Sequence, residues 1–413
     1  MTTPSSLLHG KNVGVIGFNA RPIAASLKKE GARTYVSDYW GDLDLPDVSD
    51  ECITVLTPVM GMRQRQPLDL PVYQSLIDNF LFLTEKVELD YVIIGSGFDD
   101  HIEALQPIYD SGLLIGSHTS HFKKARDLSI VTSMVSEEQC KIPQRQEFHS
   151  FQELVEKSTE ISYPYLIRPL YSGGGSGIRF IRHQKDLLRL VKARQEENEE
   201  TAQVVQEYIR GQDFSCSVLS TGNDALAVSV QAQLIGSPAA GRNCDFAYCG
   251  NFIPSGLDSQ TEQKIMEISE HLSVQLGLQG SIGLDFVVDE LSTIWLMEIN
   301  PRIQGTLEML EIAGNISITE QHVRAVHQDL IEEIPIFHPT VKMIVYSRRN
   351  GKVPDLSLFS NTFDRSPTGV FVNRRDPICT VINQGTNIQE CYHTTCSIAN
   401  SIQREVRPVY PQS

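Results

Sequence analysis

The sequence predicts an α/β protein in which an N-terminal parallel sheet is followed by antiparallel hairpins. Residues 12–120 alternate short apolar strands with amphipathic helices, a pattern that is typical of a parallel sheet. Farther along, two pairs of apolar runs are each separated by a short turn, one rich in glycine near residue 174 and one acidic at residues 289–293. Such pairs indicate antiparallel hairpins.

Length and charge limit the kind of protein this can be. With 413 residues the chain should form two or three domains and bury a large core. It carries 35 Lys and Arg against 51 Asp and Glu, a net charge of −16, which argues against nucleic-acid binding and against contact with a membrane surface. It has no apolar run that could cross a bilayer and no visible secretory signal, so we expect a soluble, cytoplasmic protein.

The apolar pattern predicts individual elements along the chain. Strands are expected at Val13–Ile16, Thr34–Ser37, Ile53–Leu56, Tyr91–Ile94 and Leu113–Ile115, and helices at Arg21–Glu30, His121–Leu128, Asp186–Asn198, Gln260–Leu276 and after Glu308, with mostly short strands beyond residue 330. A strand, a glycine turn and a helix would also suit a dinucleotide site. Only Gly14 and Gly17 precede the first helix, so the three-glycine fingerprint is missing and a tight turn is the better interpretation of Gly17.

The acidic hairpin carries the strongest functional signal. A turn at residues 289–293 separates two apolar runs, so Asp285 should lie almost opposite Glu298, with Asn300 on the same face. Two facing carboxylates repel by roughly 3 kcal/mol at an effective dielectric near 20. Because the ligands are all oxygen, the sequence favours Mg²⁺, or Mn²⁺, that also holds substrate phosphates. The alternative is a pair of solvated acids on an outer face.

The glycine run gives a second signal. A strand from Tyr163 to Arg168 and another from Ile178 to Ile181 flank it, so the bare backbone amides between them could close over a polyphosphate. No Gly-Lys-Ser or Gly-Lys-Thr follows and no helix begins there, so this is not a Walker loop. A plain mobile connection remains the alternative.

Four blocks in this order resemble the ATP-grasp superfamily, and the resemblance covers nearly the whole chain. The blocks are Tyr163–Ile181, Gln206–Asp213, the hairpin around Asp285, and Glu298–Gln304. The sequence is most similar to the branch with biotin carboxylase, carbamoyl phosphate synthase and archaeal ATP-dependent carboligases. The resemblance implies a pre-ATP-grasp Rossmann-like domain at 1–120, a lid subdomain with the glycine-rich loop at 121–205, an ATP-grasp core with adenine and metal sites at 206–330, and C-terminal strands closing the core at 331–413.

The resemblance also implies the roles of particular residues. It assigns ATP contacts to Arg168, Ser172, Gly173, Gly174, Gly175, Ser176, Gly177, Gln206, Glu207, Tyr208, Ile209 and Asp213, metal ligation to Asp285, Glu298 and Asn300, and catalysis to Arg302 and Gln304. For such an enzyme, Gln233, Arg242 and Asn251 are candidate substrate contacts. Glu207 would accept from the adenine amine, and Arg242 would clamp a carboxylate. A surface acid at Glu207, a structural salt bridge at Arg302 and a plain connecting loop around Arg242 are the alternatives.

Two positions depart from the family. Arg168 stands where relatives usually have a phosphate-binding lysine. The compact ammonium charge of lysine is thus replaced by the planar guanidinium of arginine. Leu128 stands where relatives often have a lysine, so one cation is lost, and Lys123 or Lys124 is a candidate to replace it. The sequence of residues 331–413 also resembles the C-terminal strands of the same branch.

Together these features predict an ATP-dependent carboxylate–amine ligase with ATP and Mg²⁺ (or Mn²⁺) as cofactors, acting through an acyl phosphate on small-molecule carboxylate and amine substrates, and a homodimer is expected. The resemblance places it in small-molecule or cofactor biosynthesis. Two alternatives stay open: a biotin carboxylase-like enzyme that activates bicarbonate, and an ATP-binding ATP-grasp protein without catalysis.

Overall fold

The computed structural model of the chain describes residues 6–157, 161–169, 174–175, 177–194, 202–243 and 246–408. Within these residues the longer strands assemble into a parallel N-terminal sheet, an antiparallel lid sheet and an eight-stranded core sheet. A small three-stranded sheet lies near the C-terminus. Across the described ranges, the helices all fall short of the length and apolarity needed to cross a bilayer.

The N-terminal region forms the predicted parallel sheet, in the strand order β3-β2-β1-β4. Its elements are β1 (Asn12–Gly17), α1 (Arg21–Lys29), β2 (Arg33–Asp38), β3 (Glu51–Thr54), α2 (Val72–Thr84), β4 (Tyr91–Ile94), a 3-10 turn (Ile102–Leu105) and α3 (Gln106–Asp110). The strand expected at Leu113–Ile115 was wrong, because only an isolated bridge joins Leu114 to Val92. The third strand begins two residues before its expected start.

Two short helices lead to a lid made of one antiparallel sheet. The elements are α4 (Thr119–Arg126), α5 (Leu128–Thr132), β5 (Arg145–Phe148), α6 (Phe151–Lys157), β6 (Tyr165–Pro169), β7 (Arg179–Ile181), α7 (Gln184–Arg194) and β8 (Gln203–Glu207). The sheet order is β5-β8-β6-β7. Its core is a small apolar cluster that includes Phe148, Tyr165 and Leu187. The glycine run therefore connects the neighbouring antiparallel strands β6 and β7, as the sequence predicted.

The core sheet has the order β13-β12-β9-β10-β11-β14-β18-β16. Its elements are β9 (Gly211–Thr221), β10 (Ala225–Ile235), β11 (Tyr248–Ile253), α8 (Ser259–Gln275), β12 (Gln279–Asp289), β13 (Ile294–Asn300), α9 (Leu307–Gly314), α10 (Ile318–Val326) and β14 (Thr340–Tyr346). The apolar face of α8, with Ile265 and Leu272, packs on the alternate residues of β9 and β12. Residues of α9 and α10 share a second cluster with α1, which fixes the N-terminal sheet against the core.

The C-terminal region completes the core sheet. It contains β15 (Gly351–Lys352), a 3-10 turn (Leu356–Leu358), β16 (Thr362–Phe363), β17 (Phe371–Val372), β18 (Pro377–Gln384), α11 (Ile388–Glu405) and β19 (Arg407–Pro408). The expectation that short strands dominate here missed α11, whose 18 residues pack on β14 and β18. Its buried face, with Cys391, Thr395, Ala399 and Ile402, has helical spacing, and Asn387 caps its first turn.

One glycine tests the pairing of β11 with β14. At Gly250 φ is +132°, and an added Cβ would lie 2.0 Å from the Lys342 carbonyl oxygen. We expect Gly250→Ala to cost more than about 3 kcal/mol of unfolding free energy, because backbone atoms would have to move. Gly256→Ala is the matched control, since φ is also positive (+80°) but no atom lies within 4 Å, so it should cost about 1 kcal/mol. Urea unfolding of both variants measures the difference, and equal losses would contradict this pairing.

Candidate functional site

The predicted hairpin forms with the predicted register. Strands β12 and β13 pair so that Asp285 lies opposite Glu298 and Gly283 opposite Asn300, with a bulge just after Asp285. Asp285 also pairs across the other edge of β12 with Ser215 of β9. The alternate residues of the hairpin, among them Leu284, lie in the apolar core. The two acids therefore share the polar face of a sheet whose other face is buried.

Side chains of the protein donate hydrogen bonds to both acids of the hairpin. Arg126, at the end of α4, donates to Glu298 Oε1 at 2.5 Å and lies 3.5 Å from Asp100. Asp285 Oδ1 accepts from Gln233 Nε2 at 2.8 Å, and its Oδ2 accepts from Asn300 Nδ2 at 3.1 Å. The sequence analysis predicted a positive charge near these acids. Arg126, which the sequence analysis did not select, supplies part of that charge.

Burial leaves Asp285 short of positive charge. Desolvation by burial, with the negative charge of Glu298 added, raises the pKa of Asp285 to about 7, although Arg302, Gln233 and Arg126 act in the opposite direction. The pKa of Arg126 is raised by the surrounding carboxylates, chiefly Glu298, despite its own burial. Even with Arg302 and Arg126 nearby, the Asp285 carboxyl is therefore only partly ionised at neutral pH.

The lost cation at Leu128 is not restored by the lysines proposed for it. Leu128 is 7% exposed and belongs to the apolar core. Lys123 is exposed and lies 3.5 Å from Glu103, and Lys124 is also exposed. Both lysines lie on the outer side of α4, so the replacement predicted from the sequence was wrong, and Arg126 is the cation that α4 contributes to the acids.

The two predicted catalytic residues lie just beyond the hairpin. Arg302 forms a two-pronged ion pair with Asp99, with Nε to Oδ1 at 2.7 Å and Nη2 to Oδ2 at 3.0 Å. Burial opposes ionisation of Asp99, but Arg302 holds the pKa of this carboxyl below its usual range. Gln304 Oε1 accepts from Ser217 Oγ at 3.0 Å, and its amide fills the space over Gly283, where a Cβ would lie 1.0 Å away.

A row of polar side chains continues from Asp285 across the core sheet. Strand pairing aligns Asp285 with Ser215, Ser215 with Gln231, Gln233 with Asn251, and Asn251 with Lys342. Asn251 is fully buried, donates to Ser215 Oγ at 3.2 Å and accepts from the Tyr248 hydroxyl. Gln233 and Asn251, both predicted to contact substrate, therefore lie on the same face as the acids.

The lid places two arginines over this face. Arg168 of β6 pairs with Val204, and Arg145 of β5 with Gln206, so both point to the same side of the lid sheet. The Nε atoms of both are buried and have no hydrogen-bond partner among the residues that the structure describes. Burial and the neighbouring Arg168 lower the pKa of Arg145 to about 10. The negative charge of Glu298 acts on both arginines and favours their charged forms. The sequence analysis selected Arg168 but missed Arg145, which lies 153 residues before Glu298 in the chain.

The described part of the glycine loop touches the core. The carbonyl oxygen of Gly174 accepts from the backbone N–H of Tyr248 at 3.3 Å, and Gly175 lies against the backbone of Phe246. Gly177 lies against Pro169. Ser172, Gly173 and Ser176, which the sequence analysis assigned to ATP, fall outside the described residues. The loop thus reaches β11 next to the polar row.

The predicted adenine segment lies where the lid meets the core. Gln206 is buried, and exposed Glu207 accepts from the backbone N–H of Gln144 at 3.2 Å. The ring of Tyr208 lies 4.4 Å from that of Phe180 in the lid. Ile209, the next residue, is half-buried. Asp213 lies two residues before Ser215, on the face of the polar row, and burial raises its pKa to about 6.

Arg242 lies elsewhere. Its guanidinium is 5.0 Å above the ring of Tyr346 and donates to the carbonyl oxygen of Arg375 at 3.0 Å. These contacts place Arg242 against the C-terminal strands, so the structure does not bring it together with the acids of the hairpin. Spacing along the chain could not show this, because the long excursion between β10 and β11 has no periodic pattern.

The raised pKa of Asp285 makes a prediction about stability and pH. Its folded pKa of about 7 exceeds the value of an unfolded chain, so its contribution to stability is full at low pH and is lost as the pH rises through 7. Relative to the wild type, Asp285→Asn should therefore gain on the order of 1–3 kcal/mol of unfolding free energy between pH 5 and pH 8. Urea unfolding without divalent ions measures this, and parallel pH profiles of the two proteins would contradict it.

Known proteins resemble this chain in sequence and in fold. A sequence model of the ATP-grasp domain matches residues 127–306. An uncharacterized protein of Methanocaldococcus jannaschii, MJ0776, is 24% identical over 393 residues, which are 95% of this chain and 91% of that one.

Solved structures share the fold over almost the full length. Biotin carboxylase of Campylobacter jejuni, in a β-γ-ATP complex, has a TM-score of 0.70 at 15% identity and covers 97% of this chain and 92% of its own. N5-carboxyaminoimidazole synthetase of Staphylococcus aureus, complexed with ADP, has a TM-score of 0.68 at 17% identity and covers 96% and 98%. Residues 127–306 thus match an ATP-grasp domain model, and almost the whole chain shares its fold with biotin carboxylase and N5-carboxyaminoimidazole synthetase.

Proposed function

We propose that the protein is an ATP-dependent, ADP-forming ligase that joins a small-molecule carboxylate to an amine through an acyl phosphate. The observation that carries the proposal is the pair Asp285 and Glu298, opposed on one face, incompletely neutralised by Arg126, and covered by two lid arginines. The matched structures that hold ADP or an ATP analogue support the nucleotide. The protein would act in the cytoplasm, and a homodimer is the simplest closed assembly.

In this proposal the lid holds the nucleotide. Arg145 and Arg168 offer unpartnered Nε atoms on one face of the lid sheet, and a triphosphate would supply acceptors for them. The backbone at Tyr208 and Ile209 would pair with the adenine, and Asp213 would receive the ribose hydroxyls. Lid closure would keep water from the acyl phosphate.

The acidic hairpin fits a divalent cation. Asp285 and Glu298 offer carboxylate oxygens and Asn300 an amide oxygen, the donor set that Mg²⁺ prefers when phosphates and water complete its shell. Burial and the negative charge of Glu298 raise the pKa of Asp285, so a bound cation would favour its ionised form. When bound, Mg²⁺ would offset the charge of the β- and γ-phosphates.

The remaining residues would act on the transferred group. The substrate carboxylate attacks the γ-phosphorus, and the bond to the β,γ-bridging oxygen breaks to release ADP. Arg302, held in place by Asp99, would face the phosphoryl oxygens as charge moves onto them. The amine then attacks the acyl carbon, phosphate leaves, and the amine loses a proton. Gln304 and Gln233 would orient the carboxylate.

The similarity of the fold to biotin carboxylase supports a second candidate function, the activation of bicarbonate. Incubation with Mg-ATP and either bicarbonate or a pool of amino acids separates the two by ADP release. Amino-acid dependence supports the ligase, bicarbonate dependence supports the carboxylase, and ATP binding without turnover contradicts both.

The same assay tests the acidic hairpin through Glu298→Gln. We expect ADP formation to fall at least about 100-fold, because an amide cannot replace the charge of a metal-binding carboxylate. Stability should change by about 1 kcal/mol or less, since the Glu298 side chain is 38% exposed.

Glu290→Gln is the matched control on the same hairpin. Glu290 lies at the turn with its side chain 72% exposed, 3.3 Å from Arg210. This variant should keep wild-type turnover. Normal ADP release by the Glu298 variant would show that the hairpin has another role.

Arg145→Met tests the arginine that sequence reasoning missed. Loss of a charged phosphate contact should raise the KM for ATP about tenfold or more. Arg179→Met serves as control, because Arg179 is exposed and its strand partner is Ile167, which points to the other face of the lid. Steady-state kinetics at varied ATP compares them, and an unchanged KM in the Arg145 variant would remove this residue from the phosphate site.

A further inference from the structure

A second group of buried carboxylates lies at the seam between the N-terminal sheet and the core. We call it the acid cluster, and its members are Asp38, Asp42, Asp44, Glu308 and Asp364. The first three follow the carboxyl end of β2, the edge of an open parallel sheet where ligands bind. Glu308 belongs to α9, and Asp364 follows β16. Three distant parts of the chain thus converge here.

Most members of the cluster have strong partners. Arg21 donates to both oxygens of Glu308 and, through Nε, to Asp364 Oδ1 at 2.7 Å. Asp38 accepts from the backbone N–H groups of residues 20, 40 and 41. Asp44 accepts from those of residues 364 and 365. These bonds hold the cluster in a fixed geometry.

Asp42 is different. It is 7% exposed, it faces Asp364, Asp38 and Asp44, and across the described ranges its carboxylate receives no hydrogen bond. The second oxygen of Asp364 is sealed from solvent without a well-formed hydrogen bond, although the Thr380 side chain is near enough to favour its ionised form. A buried carboxylate without a donor is costly unless a ligand supplies one.

The positive charge at the cluster falls short of the negative charge. Five carboxyls face the buried cations Arg21 and Lys342, with Arg365 at the edge. Burial raises the pKa of Asp38 to about 7, and burial with the neighbouring acids raises the pKa of Asp42 well above its usual range. A ligand with one positive charge would let these carboxyls ionise.

Further unpartnered polar atoms lie along the same segments. They are Asn19 Oδ1 beside α1, Gln64 Oε1, and Arg365 Nε. Gln64 is 2% exposed, and its amide nitrogen donates to Ser366, two residues from Asp364. A metal ion does not explain them, because in the part of the chain that the structure describes no three His, Cys, Asp or Glu side chains are arranged to hold one.

The acid cluster is connected to the proposed reaction site. Lys342, at the far end of the polar row, donates to the carbonyl oxygen of Gly305. Burial lowers the pKa of Lys342, and the negative charges of Asp364 and Glu308 act against this. Arg302 and Glu308 are six positions apart in the chain, so their Cα atoms are at most about 20 Å apart. One extended small molecule can reach both.

We propose that the acid cluster binds the cationic group, an ammonium or a guanidinium, of the substrate, with Asp42 and Asp364 accepting its N–H groups. This rests on the proposed ligase function and narrows it to a substrate with a positively charged end. Leu43, 47% exposed, places Asp42 one residue from the surface.

Matched amino-acid pairs test the site without knowledge of the full substrate. L-lysine is compared with L-norleucine, which lacks the side-chain ammonium, and L-arginine with L-citrulline, whose side chain is neutral; each is titrated at pH 8 while the melting temperature is followed. We expect at least one cationic member to raise the melting temperature more than its counterpart. Asp42→Asn should weaken that apparent affinity tenfold or more, and Asp47→Asn, an exposed acid nearby, should leave it unchanged.

The outcomes separate this inference from the proposed function. If neither cation exceeds its counterpart, or if Asp42→Asn binds as tightly as the wild type, the cation site is refuted, whatever the ADP assay shows. If the cation effect holds but no ADP is released, the site stands and the ligase proposal fails. A cluster with a structural role alone would change the melting temperature of the Asp42 variant but not the ligand-induced shift.

Discussion

The pairing of Asp285 with Glu298 on a half-buried sheet face is the constraint on which the rest of the site depends. Two carboxylates in this register repel, and burial adds to the cost of charging them. The fold meets this in two ways. Arg126 brings a guanidinium from α4, and Gln233 and Asn300 donate to Asp285. Neither fully restores the ionised form of Asp285, so the free protein holds a site prepared for positive charge.

The polar row explains why one face of a central sheet carries so few apolar side chains. Burying Ser215, Gln231 and Asn251 would be unfavourable if their hydrogen bonds were unmet, but they bond to one another across the strands. The opposite face of the same strands packs on α8 and supplies the apolar burial. One face of the sheet therefore supplies the apolar burial, and the other gathers the polar side chains of the proposed site.

The parts that the sequence predicted well are those with local patterns. Alternation fixed the register of Asp285 and Glu298, and helical periodicity located α1 and α8 within a residue or two. Partners contributed from far along the chain were not predictable in this way. Arg126 lies 172 residues before Glu298, and no spacing rule joins them. The helix α11 was missed although its buried positions recur with helical spacing, because its polar and cysteine content obscured the pattern. Arg242 was a candidate carboxylate clamp in a loop without a periodic pattern, and the fold places it over the ring of Tyr346.

The acidic hairpin and the acid cluster present the same physical problem at two places. Each gathers carboxylates in a buried volume, each has one arginine that pairs with part of them, and in each the pKa of an aspartate is raised to about 7. Buried acids that gain nothing from their charge would be better replaced by apolar residues of similar size. The segment that carries Arg302 and Glu308 links the two sites. Both groups of acids are accounted for if the ligands bring positive charge. The metal would bind with the nucleotide at the acidic hairpin, and a cationic group would bind at the acid cluster. Binding would then be coupled to ionisation, since each ligand lowers the pKa of the acids that receive it and releases protons. Proton release on ligand binding is therefore the common signature of both sites.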